Sequence, residues 1–388
     1  MTGSAVNLRA LSASDLEAAV RRAADALSQG TPVIVPTDTV YSVALPASSS
    51  IAPALARALG RSGPLAWHPP TADRAIDLLG LTRPAHRRLL RRLTPGPVIL
   101  AAAIGEDGVA AAAAALGAET AALDPAGAGE VAVRRIRHDA AAALAERAGE
   151  MDLALLIAEL PEAGAAEGAA VRWALEADAA AQALGSLLSP GSAEALVLDG
   201  GRARPGKPAT ILGLRPEGGW TLRRPGAYEE RFVRKQLRRT ILFICTGNTC
   251  RSPMAEAIAA DLIAKGRVSG APDVETTVIS AGAGAATGVP PTPEAVTALK
   301  ELGINPNLRG SRQLTRQLIA EADIIFTMSR SHLHAVLALD PTAADKTFLL
   351  DPEGGDVPDP IGYPQEVYTE TAERIRDLVT ARLRELDA

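Results

Sequence analysis

The chain is short of cysteine, histidine and aromatic residues, and each shortage narrows what it can be. Its 388 residues include two cysteines, Cys245 and Cys250, which excludes a disulfide framework. Two thiols so close together point to catalysis or metal binding rather than to a structural staple. The five histidines, His68, His86, His138, His332 and His334, have no ligand spacing to either cysteine, so no metal is expected. Aromatic residues make up 3% of the chain; alanine carries most of the apolar content, which favours helices but offers few large packing anchors. No apolar run reaches the about 18 residues a membrane span needs, the alanine-rich stretch after Val109 being broken by Gly117 and Glu119. The first thirty or so residues lack the apolar core of a secretory signal, and a net charge of -5 gives no global pull toward nucleic acid or an anionic membrane. A cytoplasmic protein with no membrane partner is expected.

What is present falls into two α/β halves, as a soft prior of about 150 residues per domain suggests. From residue 240 the strand candidates "TILFIC", "TTVISAG", "DIIFTM" and "KTFLL" alternate with helical stretches, the pattern of a parallel sheet wrapped by helices. Residues 1–227 also read as α/β, with a helix over 15–28 and strands in "TPVIVPTDTVYSVAL", broken at Pro36-Thr37-Asp38, and in "PGPVILAAA", "GEVAVRRI", "LALLIAEL" and "EALVLDGG". Residues 105–125 are assigned no structure. Residues 228–239, charged and without a clear apolar period, read as a linker, their basic run "RKQLRR" as a solvated connector.

Both cysteines lie in "ILFICTGNTCRSPMAEAIA", residues 241–259. Cys245 ends an apolar strand; Thr246, Gly247, Asn248, Thr249 and Cys250 follow; Arg251 and Ser252 precede Pro253, which suits a first helical turn. A strand, loop and helix N-terminus present successive N–H groups to an anion, and Gly247 permits close approach. The Arg251 guanidinium can fork onto two phosphoryl oxygens. The same positive surroundings are expected to favour the thiolate of Cys245 as nucleophile, with Ser252 as a further donor to it.

This Cys-x5-Arg-Ser arrangement resembles the low-molecular-weight protein phosphatases over residues 240–388, where "SAG" at 280–282, "EADIIFTM" and "DVPDP" occur in family order. The resemblance implies a flavodoxin-like domain with a four-stranded parallel sheet, a cysteinyl-phosphate intermediate, no cofactor and a phosphorylated protein as partner. Its general acid falls on Asp359, followed by Pro360, with Asp351 and Asp356 as weaker alternatives. "CTGNTCRSPMAE" is similar to the protein-arginine phosphatase branch, in which Thr249 marks a preference for phosphoarginine over phosphotyrosine. Ile361 departs from that branch, which usually has an aromatic there. Oxidation is expected to join Cys245 to Cys250 reversibly, both being at the ends of one curled loop.

In the first half, "VPTDTVYSVA", "LTPGPVIL", "VAVRRIRH", "LVLDGG" and "LRRPGA" resemble the YrdC-like threonylcarbamoyl-AMP synthases in order. The resemblance implies a twisted α/β domain, a ligand site at Thr37, Thr39, Arg61 and Arg134, and a nucleotide or double-stranded RNA as partner. Its catalytic pattern is broken. Leu59 stands where the family has a lysine, Glu159-Leu160-Pro161 where it has Ser-x-Asn, Ser42 where it has glycine, and Ala209 where it has serine. An anionic Glu159 repels a triphosphate, so this half reads as degenerate. The alternative is a working synthase, which would use ATP, threonine and bicarbonate in tRNA modification.

Overall fold

Five successive buried apolar residues, Ile241 to Cys245, make β11 (Arg239–Cys245) a central strand covered on both faces. In the computed structural model, which describes residues 5–9, 12–163, 171–188, 194–204, 206–266 and 275–386, the chain forms two compact units, Met1–Gln236 and Leu237–Ala388. In the second unit β11 pairs in parallel with β12 (Thr276–Gly282), so that Cys245 faces Gly282, and with β13 (Ile324–Thr327); β13 pairs with β14 (Thr347–Leu349). The order β12-β11-β13-β14 is that of a flavodoxin-like sheet.

Strand alternation divides the core in two. Ile241, Phe243 and Cys245 pack with Met254 and Ile258 of the helix Arg251–Ala264, with Leu299, and with Tyr368, Ile375 and Val379 of the helix Gln365–Glu385. Leu242 and Ile244 pack on the other face with Ile319, Ile325 and Val336. The chain adds β12 on one side of β11 and β13 and β14 on the other, and the crevice beyond the carboxyl end of β11, where the strand order switches, is where open α/β sheets take ligands.

The first unit is a ten-stranded mixed sheet of β1 (Ala5–Asn7), β2 (Val33–Val35), β3 (Ser42–Pro46), β4 (Ala66–His68), β5 (Val98–Ala103), β6 (Glu130–Val133), β7 (Leu155–Glu159), β8 (Leu196–Asp199), β9 (Thr210–Leu214) and β10 (Trp220–Arg224). Their order is β1-β8-β2-β3-β7-β4-β6-β5-β9-β10. The break at Pro36-Thr37-Asp38 separates β2 from β3, which pair antiparallel. The helix Ala13–Ser28 is present, capped by Ser12 accepting from Asp15 N–H.

Residues 105–125, left without structure from the sequence, form the helices Gly105–Leu116 and Thr120–Leu123. Alanine is the strongest helix former, and Gly117 ends the longer helix in the left-handed region at φ 65°. The segment 228–239 contains the helix Glu230–Leu237, with Val233 and Leu237 buried four residues apart, and Arg239 already belongs to β11. Among the described residues no helix is long and apolar enough to cross a membrane.

Candidate active site

The loop leaving β11 turns tightly because Asn248 adopts the left-handed conformation, φ 53°, which costs a non-glycine residue about 1–2 kcal/mol. Its side chain offsets that cost. Nδ2 donates to Ser252 Oγ at 2.9 Å and to Ser280 Oγ at 2.8 Å, and Oδ1 accepts from Arg312 N–H at 2.8 Å. Gly282 of β12 makes room for the curl: a Cβ there would lie 2.5 Å from the Thr246 carbonyl oxygen and 2.9 Å from Asn248 N.

Two donors converge on the sulfur of Cys245. Asn248 N–H lies 3.2 Å away and Ser252 Oγ 3.0 Å away. Asn248 Nδ2 can only donate, so Ser252 Oγ accepts from it and keeps its own proton for Sγ, the Ala281 carbonyl being farther off at 3.4 Å.

Arg251 opens the following helix and is almost wholly buried. Its Nη1 donates to Val357 O at 3.1 Å, its Nη2 to Asp359 Oδ2 at 2.5 Å and to Thr246 Oγ1 at 3.4 Å, and Nε is a buried donor with no hydrogen-bond partner among the described residues. Donor capacity beyond what the protein consumes is what a bound oxyanion needs.

Of the three aspartates considered for the acid, Asp359 alone meets this arginine. Asp356 accepts from Arg330 N–H at 2.9 Å, where the helix Arg330–Leu339 begins. Asp351 is buried and bound to Glu353 N–H and Arg374. Asp359 stands at the mouth, its side chain 40% exposed. The turn after it, closed by Tyr363 N–H to Pro360 O at 3.0 Å with Gly362 at φ 82°, holds Ile361 and Tyr363 in solvent.

Thr249 is half-buried; its Oγ1 lies 3.5 Å from Cys250 Sγ, and its carbonyl accepts from Thr292 N–H at 3.0 Å. Cys250 Sγ also faces Tyr368 Oη at 3.8 Å. Burial, with the Cys250 contact adding to it, pushes the Tyr368 phenol up to about 12. Both cysteines are free thiols.

One participant escaped the sequence. His332 is buried, its Nε2 2.9 Å from Thr246 Oγ1 and its Nδ1 2.7 Å from Ser329 Oγ. Burial and then the charge of Arg251 lower this imidazole to about 4, so it is neutral near pH 7. Since Thr246 Oγ1 accepts from Arg251, its own proton is free for Nε2, which gives a directed chain from Arg251 through Thr246 and His332 to Ser329. A lone histidine 86 residues from its partner carries no spacing signal.

In the N-terminal unit Thr37, Thr39 and Arg134 come together. The fully buried Arg134 donates from Nη2 to Thr39 Oγ1 at 2.6 Å and to Thr37 Oγ1 at 3.3 Å, and faces Asp38 at 3.5 Å. Arg61 belongs to the short helix Gly60–Ser62, and its side chain lies outside the described residues. Glu159, at the end of β7, is drawn into the same cluster: Oε1 accepts from Thr39 Oγ1 at 2.8 Å and Ala209 N–H at 2.7 Å, and Oε2 pairs with Arg224. Arg224 lies within the quoted "LRRPGA" yet was not singled out from the sequence. Among the described residues no group of three or more His, Cys, Asp or Glu could hold a metal ion.

Residues 240–388 match the family model "Low molecular weight phosphotyrosine protein phosphatase", and residues 25–226 match the Sua5/YciO/YrdC model, described as "Telomere recombination". The chain is 39% identical to a protein-arginine-phosphatase of Geobacillus stearothermophilus over 36% of its own length and 90% of that protein. It is 34% identical to a protein-arginine-phosphatase of Bacillus subtilis, over 38% and 95%, and 34% identical to a probable low molecular weight protein-tyrosine-phosphatase of Ralstonia nicotianae, over 37% and 92%. Among solved structures, an arginine phosphatase from Geobacillus stearothermophilus is similar at 36% identity and TM-score 0.35, covering 38% of this chain and 93% of that one. The chain belongs to the low-molecular-weight protein phosphatases through its C-terminal unit and to the YrdC-like family through its N-terminal unit. It is a phosphatase of the protein-tyrosine and protein-arginine type.

Proposed function

We propose that the C-terminal unit hydrolyses phosphoarginine in proteins, with phosphotyrosine as the competing substrate, through a cysteinyl-phosphate intermediate. The observation that carries this reading is the convergence of Asn248 N–H and Ser252 Oγ on Cys245 Sγ, in a loop whose arginine meets Asp359 at its mouth. Thr249, and likeness to two protein-arginine-phosphatases, support the choice of phosphoarginine.

The thiolate of Cys245 attacks phosphorus in line while Arg251 and the amides of Thr246, Gly247, Thr249 and Cys250 hold the phosphoryl oxygens. An incoming phosphoryl group competes with Asp359 for the Arg251 fork, which releases the carboxyl group to act. Asp359 protonates the departing nitrogen or phenolic oxygen as its bond to phosphorus breaks. It then takes a proton from the water that cleaves the S–P bond, giving inorganic phosphate and the thiolate. No step calls on a metal or cofactor.

Purified protein is expected to hydrolyse p-nitrophenyl phosphate in EDTA, and Cys245→Ser to abolish this; undiminished turnover by the variant would refute the mechanism. The kcat/KM values for phosphoarginine and phosphotyrosine peptides decide the substrate. The N-terminal unit, with Leu59 and Glu159 in place of family catalytic residues, is proposed to be non-catalytic and to need no ATP. Pyrophosphate release from ATP in the presence of threonine and bicarbonate would overturn that.

A further inference from the structure

We infer that the N-terminal unit holds a carboxylate-binding cradle which its own Glu159 fills, and that this closes the site to phosphate-bearing nucleotides. The cradle is assembled from four separate segments: the loop carrying Thr37 and Thr39, Arg134 just beyond β6, Ala209 just before β9, and Arg224 at the end of β10. Together they meet both oxygens of one carboxylate. Oε1 receives the Thr39 hydroxyl, Ala209 N–H and, at 3.3 Å, the charge of Arg134; Oε2 receives Arg224. The Glu159 side chain is 2% exposed. A carboxylate persists at such burial only where charge and hydrogen bonds replace its water.

Arg224 is engaged through all three of its nitrogens, while the fully buried Arg134 keeps Nε and Nη1 without a hydrogen-bond partner among the described residues, Nη1 lying 3.3 Å from Glu159 Oε1. Arg224 gives Nε to Ala209 O at 3.2 Å, Nη2 to the same oxygen at 2.8 Å and to Glu159, and Nη1 to Ser62 O, while its guanidinium lies 4.8 Å over the Trp173 ring. The Thr37 hydroxyl donates to Val40 O at 2.6 Å. A cavity of about 630 Å3 adjoins Arg224 and is lined also by Arg57; within it Arg223 forks onto Glu130, and Asp124 accepts from Ala128 and Gly129 N–H. A phosphate would have to displace the Glu159 carboxylate to take its place on Arg134 and Arg224. The bound anion of this site is part of the chain.

The inference is separable from the phosphatase reading, because Trp67, Trp173 and Trp220 all lie in the N-terminal unit and their fluorescence follows that unit alone. Thermal unfolding of the full chain, read by tryptophan fluorescence, tests it. Glu159→Ala leaves Arg224 without its carboxylate partner and the fully buried Arg134 with Asp38, at 3.5 Å, as its remaining counter-ion, and should lower the midpoint by roughly 6–20 °C. Sodium formate, a carboxylate small enough for the vacated space, should recover part of that loss where equal sodium chloride does not, and should leave wild type unmoved. Mg-ATP should not shift the wild-type midpoint. An unchanged midpoint in Glu159→Ala, an equal formate effect on both proteins, or a saturable ATP shift in wild type would overturn the inference. If Glu159→Ala folds in neither salt, Glu159→Gln decides: a lowered midpoint supports the cradle, and a wild-type midpoint refutes it.

Discussion

Asn248 is where the geometry of the catalytic loop can be priced bond by bond. Its side chain makes three hydrogen bonds, to Ser252, Ser280 and Arg312 N–H, each contributing about 1 kcal/mol net. Asn248→Gly removes all three but relieves the about 1–2 kcal/mol cost of φ 53°, so the C-terminal unit should lose about 1–2 kcal/mol. Asn248→Ala removes the same bonds and keeps the left-handed cost, for a loss of about 3 kcal/mol. Because the same residue's N–H points at Cys245 Sγ, a relaxed loop misaims the nucleophile, and kcat/KM should fall about 100-fold in both variants. Calorimetry on the full chain measures the stability, the C-terminal transition being the one tryptophan fluorescence does not follow; p-nitrophenyl phosphate turnover measures the rate. Asn248→Gly with wild-type stability and turnover would refute the account of the loop, and equal stability of the two variants would refute the strain component.

Four further outcomes are expected. Gly282→Ala places a methyl group 2.5 Å from the Thr246 carbonyl, backbone that cannot swing aside, and should cost about 1–3 kcal/mol with a clear drop in kcat/KM; normal turnover would show the loop has slack. His332, lowered to about 4 from an ordinary 6.5, stays unprotonated when folded while the unfolded chain takes up a proton, so stability of the C-terminal unit is full above about pH 6.5 and declines as pH falls toward 4. His332→Gln should flatten that slope, as read from calorimetric midpoints against pH; an unchanged slope would remove His332 from the account. Thr249→Ile should shift the ratio of kcat/KM values toward phosphotyrosine over phosphoarginine peptides, and an unmoved ratio would deprive Thr249 of a selective role. Peroxide inactivation should be reversed by dithiothreitol in wild type but not in Cys250→Ala, and equal recovery would count against a protective disulfide.

The C-terminal unit was legible because its strands and helices alternate and its central strand is strongly apolar. β11 carries a run of five buried residues, and Ser252-Pro253 marks where the next helix starts. The N-terminal sheet was read only in part. β1 and β4 have three residues each, β9 contains Gly213, and the edge strand β10 ends in two arginines, so none shows a clean period of two. The site divides along the same line. Cys245 to Ser252 are contiguous, so order alone groups them in one loop. The partners that fix Glu159 lie 50 and 65 residues downstream. The sequence marked Glu159 as a misfit to phosphate, but a carboxylate out of place and a carboxylate filling a place look alike until Arg134 and Arg224 are seen on its two oxygens.

The two units thus contain the same pair of groups, a buried arginine and an acid, in opposite states. In the C-terminal unit Arg251 is 7% exposed while Asp359 is 40% exposed. That carboxylate is exposed to water, so giving up Arg251 to a phosphoryl group costs it little. In the N-terminal unit the acid is buried along with its arginines, Glu159 at 2% against Arg134 at 0% and Arg224 at 17%, and separating them would strand a charge away from water. An exchangeable acid makes an anion site that turns over, whereas a fixed one makes a site permanently occupied by the protein. Raising ionic strength should therefore weaken phosphate inhibition of the phosphatase, while leaving the stability of the Glu159 cluster, read by tryptophan fluorescence, nearly unchanged.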